Sequence, residues 1–203
     1  MHLTDCGTMF GFPDNNTCGQ NQVHFVLHNP LGPTVPYVPF LPLFLQQINL
    51  PMMEDWPAFY KKNRLDFQMG LINARYKDQD LQELYDSLQE IYPKLFQDLT
   101  IRPALIHGDL WAGNWSYDTN GVATIFDPAV SHSHSEAELG IMSMFGTMSP
   151  EFHAAYHALI PKEKGFKERQ HLYQLYHYLN HYSLFGGSYR ESCMHTLRKL
   201  VKA

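Results

Sequence analysis

The run Leu105-Ile106-His107-Gly108-Asp109-Leu110-Trp111-Ala112-Gly113-Asn114 sets an amide five residues after an acid, and a second apolar run, Ile125-Phe126, delivers Asp127-Pro128. Two carboxylates and one amide at the ends of short apolar segments are the set that phosphoryl transfer needs. One carboxylate takes the proton of the attacking hydroxyl, and the amide oxygen and second carboxylate hold the magnesium that neutralises nucleotide phosphates. The spacing matches a kinase catalytic loop: His-x-Asp, then Asn, then an Asp after the next strand. On this reading Asp109 is the base, Asn114 and Asp127 are the magnesium and ATP-binding ligands, and His107 braces the loop. A His-x-Asp tripeptide alone is common, and Asp and Asn populate turns for local reasons. The composite carries the assignment.

The elements that must position these residues are mostly helical. Asp55-Trp56-Pro57 has the form of a helix start, with Asp as cap and Pro in the first turn. Leu81, Leu84, Tyr85, Leu88 and Ile91 recur at helical spacing up to Pro93. Glu136 to Phe145 and Pro150 to Leu159 read as two further helices split by Gly146. Leu172, Leu175, Tyr176, Leu179, Tyr182 and Phe185 form another stripe, ended by Gly186-Gly187. Only Ala104-Leu105-Ile106 and Val122 to Phe126 are β-prone, so a mainly α domain with one small hairpin-like element is expected.

Composition narrows the function classes. The chain has 203 residues, 44% hydrophobic and 17% charged, with a formal charge of −5. An acidic balance without basic runs argues against a nucleic-acid binder. Cys6, Cys18 and Cys193 are too few and too scattered for a disulfide framework, so a reducing, cytoplasmic setting is expected. The first residues lack a basic region followed by an apolar one, so no signal peptide is read there. The apolar stretch Val23 to Leu50 is not a membrane span either. Prolines at 30, 33, 36, 39 and 42 interrupt it at every third residue.

That period is the three-residue turn of a polyproline II helix. It admits docking on an SH3- or WW-type groove, an extended surface insertion, or residues introduced by a splicing or gene-model accident. The histidines admit a metal reading: His132 and His134 with Glu136 and Glu138, or the four-apart pairs His153/His157 and His177/His181. A third ligand is missing from each, and surface or capping histidines are the plainer account. Tyr173, Tyr176, Tyr178, Tyr182 and Phe185 read first as core packing, with a ligand platform as the alternative.

The segments HGDLWAGNW, IFDPA and HSEAELGIMSMFG resemble the fructosamine-kinase family (ketosamine-3-kinases), relatives of aminoglycoside phosphotransferases and choline kinases. The resemblance runs from Glu54 to Val201, through EDWPAFY, IRPALIHGDLWAGN, GFKERQHLYQLYHYLNHY and FGGSYR. Phe10-Gly11-Phe12 and Thr17-Cys18-Gly19 also look like a family segment. The resemblance implies the C-terminal lobe of a protein-kinase-like fold. It also implies ATP- and Mg2+-dependent phosphorylation of the 3-hydroxyl of fructosamines or ribulosamines on glycated proteins, leading to deglycation. It makes Asp109 the base and Asn114 and Asp127 the magnesium ligands. Glu138 becomes an acid bracing the loop from the following helix, and Trp111 a wall for the sugar, with core packing as the alternative.

The sequence departs from the family in several places. No G-x-G-x-x-G occurs, and the first lysine, Lys61, lies in a polar helical run rather than a strand. The N-lobe that supplies the phosphate-covering loop and its lysine is therefore read as absent, and little or no kinase activity is expected of this chain alone. His132-Ser133 replaces an expected Tyr-Gly pair, and Trp115 an aliphatic residue. The expected organisation is a lobe-junction segment (1–20), a proline-periodic insertion (21–53) and a helical C-lobe (54–203). A non-catalytic truncated form acting as a binding module is the alternative.

Overall fold

The computed structural model describes residues 8–10, 52–146 and 148–202. The proline-periodic stretch, Cys6 and Cys18 lie outside them. Helix α1 (Trp56–Tyr60) starts where expected: the Asp55 side chain accepts from the Ala58 amide at 3.1 Å. It runs through a π-helical turn (Lys61–Asp66) into α2 (Phe67–Tyr76). In that turn Lys61 and Asp66, five apart and so aligned by the π repeat, pair at 2.8 Å. Helix α3 (Gln79–Leu88) is capped by Asp78, whose carboxylate accepts from the Leu81 amide.

Helix α5 (Phe166–Phe185) is the axis of the structure. It packs on α2 and on α6 (Arg190–Val201), and α6 also packs on α3. Leu172, Leu175, Leu179, Leu197, Leu200, Ile72, Leu81 and Leu88 fill the space between them with no measurable exposure. Each such side chain contributes roughly 1.5–3 kcal/mol by leaving water. One carboxylate ties three helices: Asp78 accepts the Arg190 guanidinium fork at 2.7 and 2.8 Å and the Tyr182 hydroxyl at 2.8 Å. The Arg190 bonds hold its pKa below the ordinary value. Helix α4 (Pro150–Leu159) starts at a Ser149 cap and lies on the surface, with no buried residue.

The β structure differs from the single hairpin expected. β1 (Ala104–Ile106) pairs antiparallel with β4 (Ser131–Ser133), and β2 (Trp115–Tyr117) pairs separately with β3 (Ala123–Ile125). β4 escaped notice because Ser131-His132-Ser133 has no apolar alternation, and Leu105 lies opposite His132. The helix expected over 136–145 is instead a 3₁₀ turn (Ser135–Leu139) followed by further turns. Packing explains this correction: a Cβ on Gly140 would stand 2.7 Å from the Tyr173 Cβ, so the chain presses against α5 backbone to side chain. Likewise α3 stops at Leu88, before Ile91, and Pro93 falls inside a second 3₁₀ turn (Tyr92–Phe96). No helix among the described residues is long and apolar enough to cross a membrane.

Candidate active site

β1 leads directly into the loop. Ala104 and Ile106 are buried, and the strand hands over at His107, which is also buried. The His107 Nε2–H donates to the Phe126 carbonyl at 2.9 Å, so Nδ1 is the acceptor, and the Asp109 amide donates to it at 3.3 Å. Burial lowers the His107 pKa, which keeps the ring neutral in this bridging form. Next, Gly108 turns the chain at φ +80°, where a Cβ would lie 2.2 Å from the Ala129 carbonyl oxygen. The Ala129 amide in turn donates to the His107 carbonyl at 2.8 Å. The His107–Gly108 turn and the 126–129 segment are therefore locked side by side.

Glu138 grips this turn from behind. Its Oε2 accepts from the His107 amide at 2.6 Å and its Oε1 from the Gly108 amide at 2.9 Å. Burial pushes its pKa up to about 7 against the pull of those two amides. The bracing acid thus sits in the 3₁₀ turn rather than on a helix.

Asp109 and Asn114 are in direct contact. Asn114 Nδ2 donates to Asp109 Oδ2 at 3.0 Å and to the Asp109 carbonyl at 2.8 Å, closing the loop on itself. Burial first, and the Asp127 charge second, push the Asp109 pKa up to about 6, while the Asn114 bond lowers it. Asp127 is exposed, adopts φ 53°, and follows Phe126, whose amide donates to the Asn114 carbonyl at 3.1 Å. Of the three side chains singled out in the sequence, Asp109 and Asn114 are in contact, and Asp127 lies near enough for its charge to act on Asp109.

Their chemistry suits a hard cation. Both Asn114 bonds use the amide nitrogen, so its amide oxygen and the exposed Asp127 carboxylate are the oxygen donors that could hold a metal. Magnesium takes oxygen ligands, commonly one or two carboxylates completed by water and substrate phosphate. Among the described residues no group of three or more His, Cys, Asp or Glu side chains could hold a metal. Three of the histidine rings make other bonds. The Trp56 indole N–H donates to the Tyr173 hydroxyl at 3.1 Å, which donates to His134 Nδ1 at 2.6 Å. Burial drives the His134 pKa down to about 3. His181 Nδ1–H donates to the His177 carbonyl at 2.8 Å, and His157 contacts the Ile160 carbonyl.

Trp111 is half-buried, its ring laid over Gly113, where a Cβ would stand 2.3 Å from it. Its edge meets Phe145 at 5.4 Å, and Phe145 meets His181 at 5.2 Å, giving an aromatic surface beside the loop. Phe145 and His181 were missed as members of this surface because they lie far along the chain from the motif. Most of the tyrosine stripe packs inward as expected, whereas Phe185 is exposed.

Gly108→Ala is expected to destabilise the fold by about 2–4 kcal/mol, left-handed strain adding to the Ala129 clash. Gly121→Ala has a similar φ of +77° but open space, and so about 1–2 kcal/mol. Urea melts of the two variants check the difference.

A family model described as fructosamine kinase matches residues 44–203. The chain belongs to the fructosamine kinase family. It is 46% identical over 159 residues to the ketosamine-3-kinase of Mus musculus, covering 78% of this chain and 51% of that protein. It is 48% identical over 140 residues to a chloroplastic protein-ribulosamine 3-kinase of Oryza sativa subsp. japonica, covering 69% of this chain and 41% of that one. A crystal structure of a candidate fructosamine-3-kinase from Thermobifida fusca superposes with TM-score 0.69 at 27% identity, over 95% of this chain and 68% of that chain. A second, from Haemophilus somnus, superposes with TM-score 0.71 at 19% identity, over 98% of this chain and 59% of that one, and supports the fold alone. The chain spans about half the length of the curated relatives it matches.

Proposed function

We propose that these residues form the acceptor and metal half of a ketosamine 3-kinase site, acting on the 3-hydroxyl of fructosamine or ribulosamine groups on glycated proteins. One observation carries the reading. Asp109, raised to about 6, is held by the Asn114 amide nitrogen while its neighbour Asp127 stays exposed. A base with a pKa near working pH is both ionised and able to take a proton. Asp109 accepts the proton of the sugar hydroxyl, and its Oδ2 contact with Asn114 fixes the direction from which the hydroxyl approaches. The Asn114 amide oxygen and Asp127 hold the magnesium that, when bound with ATP, neutralises the phosphate charge. Trp111 and Phe145 offer apolar faces to the C–H surface of the sugar. His107 and Glu138 keep the loop from turning away.

The 203 residues contain no G-x-G-x-x-G motif, and among the described residues no lysine lies in a strand to meet nucleotide phosphates. Removing single electrostatic contributors of that kind costs about 2.7–4 kcal/mol, or 10²–10³ in rate, and losing the whole cover costs more, so little or no turnover is expected from these residues by themselves. The test uses the longest natural chain that carries them, with ATP, Mg2+ and a fructosamine- or ribulosamine-bearing lysine peptide. Phosphorus NMR should show a ketosamine 3-phosphate forming. ATP consumed without that product, or no consumption at all, would reject the assignment.

A further inference from the structure

The 3₁₀ turn Ser135–Leu139 carries two buried acids, Glu136 and Glu138. At 3.0 residues per turn, side chains two apart leave on different sides. Glu138 goes to the catalytic loop, and Glu136 goes to α5. Both Glu136 carboxylate oxygens accept from Arg169, from Nε and from Nη2, each at 2.8 Å. Arg169 is 1% exposed and spends Nη1 on the Leu95 and Lys164 carbonyls at 3.1 and 2.6 Å. One residue further along α5, Gln170 Nε2 donates to the Glu136 carbonyl at 2.9 Å. One helical turn further, Tyr173 holds His134 and presses on Gly140. So α5 grips the turn at its start, its middle and its end.

We propose that the Glu136–Arg169 ion pair is a positioning pair for Asp109. It seats the 3₁₀ turn on α5, and through Glu138 that turn fixes the His107 and Gly108 amides from which Asp109 projects. The inference rests on the role proposed above for Asp109. A buried ion pair is poor evidence of stability, since apolar replacements are often neutral. Its distinguishing property here is a fixed bidentate geometry passed through one rigid turn to two amides. Misplacing a reacting group by about 1 Å can lower rate by 10²-fold, so a small tilt of this turn is enough to matter.

The test uses the longest natural chain with Glu136→Gln/Arg169→Met, which removes both charges and leaves neither buried alone, and with Gln170→Ala as the milder variant. Amide hydrogen exchange at His107 and Gly108 is compared with exchange along Leu172–Leu179, and kcat and KM are measured for the ketosamine. Expected for the double variant is protection reduced at least about tenfold at His107 and Gly108 alone, with kcat reduced ~10–100-fold and KM within about twofold. Gln170→Ala should show the same loop-confined loss at about threefold. If the double variant does not fold, Gln170→Ala decides: exchange quickened only in the loop supports the proposal. Protection unchanged, or falling equally in loop and helix, overturns it, as does a loss borne by KM. Should the unmodified protein not phosphorylate ketosamines, the proposed function fails, while the exchange measurement still decides whether α5 holds the loop.

Discussion

Asp109→Asn removes the proposed base and should lower kcat by ~10²–10⁴-fold while making the protein more stable. The second half of that result is the discriminating one. The Asp109 carboxyl is raised in the folded state from 3.8 to about 6. A raised acid binds its proton more tightly folded than unfolded, so its contribution is present below 3.8 and lost as pH rises through about 6. At neutral pH the ionised side chain works against folding, and the isosteric amide relieves about 1–3 kcal/mol. A higher Tm with turnover abolished is therefore expected, by calorimetry and product assay on the same preparation. A lower Tm together with intact turnover would remove Asp109 from the mechanism. In the unmodified protein kcat/KM should fall tenfold per pH unit on the acid side of Asp109's pKa. Loading a cation at Asp127 cancels the charge that helps raise Asp109, so that break should move lower as magnesium rises.

Asp127→Asn is expected to lower turnover by ~10²–10³-fold and to raise the magnesium needed for half-maximal rate at least about tenfold. Asn tolerates the left-handed backbone that Asp127 adopts at φ 53°, so the loop keeps its path and only a charged ligand is lost. Removing that charge should also shift the acid break of kcat/KM downward, because Asp127 is one cause of the raised Asp109 pKa. Rates titrated against Mg2+ at several pH values read both effects. A variant with wild-type magnesium dependence would show that Asp127 holds no metal.

Short-range contacts were more legible than the architecture. The contact between Asp109 and Asn114 was legible in their spacing because a loop closed by that hydrogen bond has a fixed length. His107 could be named a brace from position alone, but its tautomer depends on the Phe126 carbonyl, which no local pattern reveals. Helix α5 followed from its leucine stripe and the glycine that ends it. The strand Ser131–Ser133 did not, because its pairing with β1 comes from main-chain bonds between residues without apolar alternation. The 136–145 segment reads as a helix by composition and is held as a tight turn by contacts with Arg169, Gln170 and Tyr173. Tertiary packing overrode propensity there.

The main chains of Phe10 and Met53 exchange both hydrogen bonds, at 2.7 and 3.1 Å, and the Phe10 ring rests on Trp56 at 5.2 Å. Phe10 and Met53, far apart in sequence, therefore stand side by side on the helical body. Lengthening the chain between two such residues adds only about 0.6 kcal/mol of closure entropy per doubling. The number of residues between Phe10 and Met53 is therefore a weak lever on stability, and the contact of the two with each other and with Trp56 a stronger one.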